Sequence, residues 1–271
     1  MSTRPTLLLV GCGKMGGALL RGWLDGSLVD RCFVVEPGPG ASAFADRPGV
    51  TVVEAAEGLP SDIKPDVVVL AVKPQAMAEI LPPYRRLAEA GALVLSIAAG
   101  KTLGYFAGKL GSLAPVVRAM PNTPAAIGRG IAVACANATV SAAQRELAER
   151  LLAAVGAVGW VDDEGLIDAV TAVSGSGPAY VFLLIECLAK AGVAAGLPEA
   201  LAIELARETV AGAGELARRS SDSASQLREN VTSPGGTTRA ALDVLMAKDG
   251  LEALLTRAVL AATRRSRELA D

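Results

Sequence analysis

Between Thr6 and Ala119, apolar runs of strand length alternate with segments of helical spacing. The runs are Thr6–Val10, Cys32–Glu36, Val50–Val53, Val67–Val72, Leu93–Ile97 and Val116–Ala119. Helical spacing appears at Gly16–Leu24 and Gln75–Ala90. A run such as VVVLAV is apolar at every position rather than every second one, which suits a strand covered on both faces. Strands alternating with helices predict an α/β fold with a parallel, doubly wound sheet. Two further strand candidates, Gly130–Cys135 and Ala157–Val161, flank an expected helix at Ala142–Ala154.

From about Leu166 the strand signals stop. Helices are expected at Pro178–Ala195, Glu199–Arg218, Thr238–Lys248 and Leu251–Leu269. Breaks fall at Gly196-Leu197-Pro198, Ser220–Ser225, Ser233–Gly236 and Asp249-Gly250. The expected division is residues 1–163 and 164–271, in line with about 150 residues per domain. The stretch AYVFLLIECLAKAGVAA is apolar around most of a helix, so something must bury it. A second copy of the chain is the expected cover, giving a homo-oligomer.

Composition removes several classes of chemistry. Histidine is absent, which excludes histidine bases, Ser-His and Cys-His nucleophiles and histidine metal ligands. Cys12, Cys32, Cys135 and Cys187 form no CxxC pair, so no metal site or dithiol centre is expected. A net charge of −2 gives no footprint for nucleic acid or an anionic membrane. The uncharged stretch Ala169–Ile185 is interrupted by SGSGP and reads as a poor membrane span, and the apolar run near the start is too short for an export signal. The expectation is a soluble cytoplasmic protein.

The strand TLLLV runs into Gly11-Cys12-Gly13-Lys14-Met15-Gly16 and then a helix. Such spacing serves a tight turn, close approach of a pyrophosphate to the backbone, and close packing of helix on strand. An acid, Glu36, ends the next strand at the interval seen in dinucleotide-binding units. The fold predicted for the first half is therefore Rossmann-like. Glu36 would accept hydrogen bonds from the adenosine ribose and repel a 2′-phosphate, and the following PGPGA offers no base to hold one, so the cofactor leans toward NADH over NADPH. Open sheets bind ligands at the carboxyl ends of their strands. There lie Ala71-Val72-Lys73-Pro74, Ile97-Ala98-Ala99-Gly100 and Met120-Pro121-Asn122-Thr123-Pro124.

In the second half, Ser174-Gly175-Ser176-Gly177-Pro178 and Ser233-Pro234-Gly235-Gly236-Thr237-Thr238 each lead into a helix. The latter joins bare backbone amides and hydroxyls at a helix N-terminus, a setting for a carboxylate. Without histidine, hydroxyls and amides are the orienting groups. They suit a substrate that already carries its proton, such as an iminium.

The segments VGCGKMGGAL, LAVKPQ, SIAAG, RAMPNTPAAIGRG, DAVTAVSGSGPAY and NVTSPGGTTRAAL together resemble the Δ1-pyrroline-5-carboxylate reductase family, in its order, over essentially the whole chain. The resemblance implies reduction of L-1-pyrroline-5-carboxylate to L-proline by NADPH or NADH, the last step of proline synthesis. It implies an N-terminal Rossmann domain and an all-helical C-terminal domain that interlocks in homodimers, often assembled into decamers. Gly11, Cys12, Gly13, Lys14 and Met15 would cradle the pyrophosphate. Ala71, Val72, Lys73, Pro74, Ala98, Ala99 and Gly100 would line the path from adenosine to nicotinamide, with Asn122 near the nicotinamide ribose. Ser233, Gly236, Thr237 and Thr238 would bind the substrate carboxylate, with Thr238 also hydrogen-bonding the ring nitrogen as the catalytic residue. Two positions depart from the family pattern. Many relatives carry a small polar residue where Glu36 stands and asparagine where Ala56 stands, which puts the usual NADPH preference in doubt. A 3-hydroxyacid dehydrogenase is the competing enzyme reading, but the second half offers only Lys190 and Lys248 as proton donors, neither in a glycine- or hydroxyl-rich setting. A dinucleotide sensor without turnover would have no need of the SPGGTT loop.

Overall fold

A computed structural model describes residues 4–269. Eight strands form one sheet: β1 Thr6–Val10, β2 Arg31–Val35, β3 Val50–Val53, β4 Val67–Leu70, β5 Leu93–Ser96, β6 Val116–Met120, β7 Gly130–Ala136 and β8 Gly156–Trp160. Their order is β3-β2-β1-β4-β5-β6-β7-β8, and the pairs from β3 through β6 are parallel. The order reverses between β1 and β4, the switch point at which such sheets bind ligands.

The unbroken apolar runs are explained by burial on both faces. Along β1, Leu7 and Leu9 enter one core cluster, and Leu8 and Val10 enter the other. The same alternation holds in β4, where Val67 and Val69 face one side and Val68 and Leu70 the other. Each such side chain contributes roughly 1.5–3 kcal/mol on burial. The helix α1 (Lys14–Asp25) covers the first face with Leu19, Leu20 and Trp23. Trp23 Nε1 donates to the Leu151 carbonyl at 2.8 Å. That bond fastens α1 to α5 (Ala142–Ala153), whose start is fixed by a reciprocal Ser141–Gln144 cap. The other face carries α2 (Met77–Ile80), α3 (Arg85–Glu89) and α4 (Leu103–Leu110).

Three features differ from the sequence expectation. Strand β7 is antiparallel to β6, so the sheet is parallel only in the main, while β8 is again parallel to β7. The expected helix Gln75–Ala90 is a series of short turns, because Pro82 and Pro83 remove amide donors and clash with the preceding turn. A helix α9 (Ala224–Asn230) overlaps the end of the expected Ser220–Ser225 break and continues through residues assigned to no element; the Ser223 hydroxyl accepts the Gln226 N–H and starts it.

The chain divides into two compact units. One runs to Gly175 and takes in the chain from Ala262 on; the other is Ser176–Ala261. The first unit therefore includes a segment already helical in character: α6 (Ile167–Val170) and the π-turn Thr171–Gly175. The second unit holds α7 (Gly177–Ala194), α8 (Glu199–Arg219), α9, α10 (Thr237–Leu245) and most of α11 (Leu251–Glu268). Helices α7 and α8 pack together, with Ala189, Ala202 and Ala206 buried. Much of the apolar surface stays bare, including Val181, Phe182, Leu183 and Leu184 on α7. The SGSGP stretch, expected to break the apolar run, leaves the helical path continuous. The stretch Glu164–Ala194 is long and apolar enough by length and composition to cross a membrane, and only 6% of its most apolar window is buried.

Candidate active site

The end of β1 shows why glycine recurs there. Gly11 has φ +90°, and a Cβ on it would meet the Ala71 carbonyl oxygen and Val72 Cγ1, each at 2.8 Å. A Cβ on Gly16 would overlap the Gly11 carbonyl oxygen. These two positions lock the turn against β4 and allow α1 to start tightly against it. Gly13 is different, because a Cβ there would meet nothing within 4 Å. It is the N-cap of α1, and no side chain caps the helix. The first amides of α1 have no partner within the helix, and its dipole adds positive potential. This cradle fits a pyrophosphate. The contact-free side of Gly13 is where a phosphate could approach, and any larger residue would obstruct it.

Glu36 follows β2 and is half-buried. Its Oε2 accepts the Cys12 N–H at 2.6 Å, and its Oε1 accepts the Gly38 N–H at 2.9 Å. A Cβ on Gly40 would run into the Cys12 carbonyl oxygen, so the Gly38–Gly40 turn lies directly over the glycine loop. The carboxylate thus ties the glycine loop to the turn after β2. The sequence reading assigned no role to that turn; a glycine at each second position after the acid was the available signal. Beside it opens a cavity of about 410 Å³ lined by Cys12, Gly13, Lys14, Arg21, Gly40 and Phe44. Burial, and secondarily the negative Glu36, push the Cys12 thiol up to about 11. A buried thiol held in its neutral form is a weak nucleophile.

The other expected positions in the first unit fall at the same edge of the sheet. The Ala71 N–H donates to the Val10 carbonyl at 2.8 Å, placing Ala71–Pro74 beside the glycine loop. Lys73 is exposed and caps a short turn begun by Pro74. The Ile97 N–H donates to Leu70 at 3.1 Å, and Ala98 is buried with its N–H on Ser96 Oγ at 3.3 Å. Gly100 turns the chain with φ +74°. Asn122 lies past the end of β6, but its amide is engaged by the protein: Nδ2 donates to the Ser174 carbonyl at 3.2 Å and Oδ1 accepts the Ile131 N–H at 2.9 Å.

In the second unit, Ser233, Gly236, Thr237 and Thr238 form one compact turn into α10. The Gly236 N–H donates to the Ser233 carbonyl at 3.1 Å, and Gly235 has φ +68°. A Cβ on Gly236 would collide with Ser233 Oγ, so the serine hydroxyl sits beneath the turn. Gly236 is the N-cap of α10 and no side chain caps it, so the amides of Thr237 and Thr238 start the helix without intrahelical acceptors. Two threonine hydroxyls accompany them, Thr238 half-buried and Thr237 exposed. The arrangement can hold a carboxylate by N–H and O–H donors alone.

A doubly wound sheet with a glycine loop at its switch point, followed by a helical unit, is the build of a dinucleotide-dependent oxidoreductase. Comparison with known proteins is specific. A family model described as pyrroline-5-carboxylate reductase dimerisation matches residues 164–269, and one described as NADP oxidoreductase, coenzyme F420-dependent, matches residues 6–100. The pyrroline-5-carboxylate reductase of Pseudomonas aeruginosa is 43% identical over 100% of this chain and 98% of its own. A solved pyrroline-5-carboxylate reductase from Coxiella burnetii superposes with a TM-score of 0.92 at 35% identity, covering 99% of this chain and 100% of that one. The Plasmodium falciparum pyrroline carboxylate reductase, solved with NADP bound, gives 0.82 at 29% identity, with 100% of both chains covered. The chain belongs to the pyrroline-5-carboxylate reductase family.

Proposed function

We propose that this protein reduces the C=N bond of L-1-pyrroline-5-carboxylate with NAD(P)H, giving L-proline. The observation that carries the reading is the Ser233–Thr238 turn at the uncapped N-terminus of α10, in a chain whose other unit holds the glycine cradle. When bound, the reduced nicotinamide supplies the hydride. The chain's residues supply position and electrostatics. The amides of α1 and the Gly11–Met15 loop hold the pyrophosphate, and Ala71–Pro74, Ala98–Gly100 and Asn122 border the rest of the dinucleotide. The Ser233–Thr237 donors fix the substrate carboxylate. The Thr238 hydroxyl hydrogen-bonds the ring nitrogen and orients the C=N carbon.

The cofactor preference we propose is NADH. Glu36 supports it: a carboxylate held in place by two backbone amides stands at the end of β2, where a 2′-phosphate would have to approach. The functional division we propose is residues 1–163 for the dinucleotide and 164–271 for substrate and assembly, in a cytoplasmic homodimer. The bare apolar face of α7 supports the dimer, since a second copy would cover it. A groove of about 700 Å³ among α9, α10 and α11, lined by Leu242, Leu245, Met246, Leu251, Leu255 and Leu260, gives the same support. The test is oxidation of NADH and NADPH, in parallel, with racemic pyrroline-5-carboxylate and chromatography for proline. Folded protein that binds cofactor and oxidises neither would refute the reading.

A further inference from the structure

The segment that leads from β8 toward α7 is tied to β6 at two points. Arg118, in the middle of β6, is only 4% exposed. Its Nη1 donates to Glu164 Oε1 at 2.8 Å. The same oxygen accepts the Leu103 N–H at 2.8 Å. Leu103 is the first residue of α4, so a carboxylate some sixty residues later in sequence serves as a second cap to that helix, beside the Thr102 hydroxyl that accepts the Tyr105 N–H at 3.0 Å. Beyond the end of β6, Asn122 holds the Ser174 carbonyl within the π-turn.

An ion pair between a buried Arg118 and a half-buried Glu164 is poor evidence of a stabilising role, because an apolar pair of similar volume often does as well or better. What an apolar pair cannot do is accept the Leu103 amide. The loop between β5 and α4 is pinned upstream by Ile97 and Ala98, whose amides bond Leu70 and Ser96. Downstream it is pinned at Leu103 by Glu164. Ala99 and Gly100 lie between these anchors. We propose that Glu164, held by Arg118, is a positioning residue for the dinucleotide: it sets the Ala98–Gly100 loop through the first amide of α4. This rests on the reading that Ala98–Gly100 border the cofactor.

The test uses Glu164→Met and the paired Arg118→Met/Glu164→Met change in the full-length protein. Melting temperature, kcat and KM for both dinucleotides and the Kd for NADH by nicotinamide fluorescence are measured. Glu164→Met, which removes the acceptor of the Leu103 amide, raises KM and Kd for the dinucleotide about tenfold, equivalent to about 1.4 kcal/mol, while kcat stays within about twofold. The paired change restores the melting temperature, because no charge is left buried, but leaves KM and Kd raised, because Leu103 still lacks its carboxylate. Should Glu164→Met fold poorly, the paired variant carries the test alone. Recovery of both stability and cofactor affinity in the paired variant would reduce the pair to a structural role and overturn the proposal. So would wild-type KM and Kd in every variant. Wild-type protein that binds no dinucleotide would overturn the cofactor reading instead, an outcome distinct from variants that bind normally.

Discussion

Replacing Glu36 should change which dinucleotide this enzyme uses, and the structure allows the size of the change to be worked out. The carboxylate is fixed at 2.6 Å from the Cys12 nitrogen and 2.9 Å from the Gly38 nitrogen, so it cannot swing away from an incoming ligand. A 2′-phosphate carries about 1.5–2 negative charges near neutral pH. At about 5 Å, repulsion per unit charge is about 0.8 kcal/mol at the dielectric of water and about 3 kcal/mol near a protein surface. Glu36 is half-buried and its charge is partly offset by the amides it binds, so the lower end applies. The repulsion is then about 1.4 kcal/mol, or tenfold in favour of NADH. Glu36→Gln keeps the volume and one acceptor while removing the charge, and should raise the NADPH-to-NADH ratio of kcat/KM by about tenfold. Glu36→Ser cannot reach Cys12; it should shift the ratio at least as far and also lower the melting temperature, because the glycine loop loses its tie. The assay is steady-state oxidation of each cofactor at saturating imine. A ratio unchanged within about twofold in both variants, with the loop still folded, would show that the carboxylate does not read the ribose and that the electrostatic argument is wrong.

Gly13→Ala should leave the melting temperature within a few degrees of wild type, since its Cβ meets nothing, yet weaken dinucleotide binding at least about tenfold in fluorescence titration. Gly16→Ala, whose Cβ overlaps the Gly11 carbonyl, should destabilise the fold itself, seen as lost soluble yield or a sharply lower melting temperature. Thr238→Ala should lower kcat roughly 10- to 100-fold with an unchanged melting temperature, as expected for losing one hydrogen bond in the transition state; wild-type turnover would refute its role. Burial raises the Cys12 thiol to about 11 and Cys32 to about 12, against an ordinary 9.0. The unfolded chain therefore loses these protons first as pH rises, and stability falls from about pH 9 upward. Melting curves between pH 8 and 11 should show this decline, and Cys12→Ala/Cys32→Ala should flatten it.

Much of the sheet was legible because strands covered on both faces must be apolar at every position, as Val67–Leu70 are. The direction of β7 was not legible. GIAVACA satisfies a buried strand run either way, and only its register on β6, running from Val117 opposite Ala136 to Met120 opposite Val133, shows the reversal. Pro82-Pro83 was a readable signal against one helix from Gln75 to Ala90, overridden by the apolar spacing around it. The short α9 escaped because polar capping, not an apolar stripe, defines its start. At the site, glycine spacing announced the cradle because backbone sterics are local. The partners of Glu36, Asn122 and Glu164 were hidden because each bond joins residues set next to one another only by the sheet.

The bare face of α7 has a consequence for how the molecule comes into being. A helix with so little of its apolar surface covered by its own chain gains little by forming alone. The strands of the sheet, most of which pair over short crossovers, can collapse first and unimolecularly. In the proposed dimer, the helices of the second unit acquire an interior when another copy arrives. Refolding from denaturant should accordingly end in a second-order phase whose rate grows with protein concentration, and chains kept dilute should stall with a formed sheet and a sticky, aggregation-prone helical half.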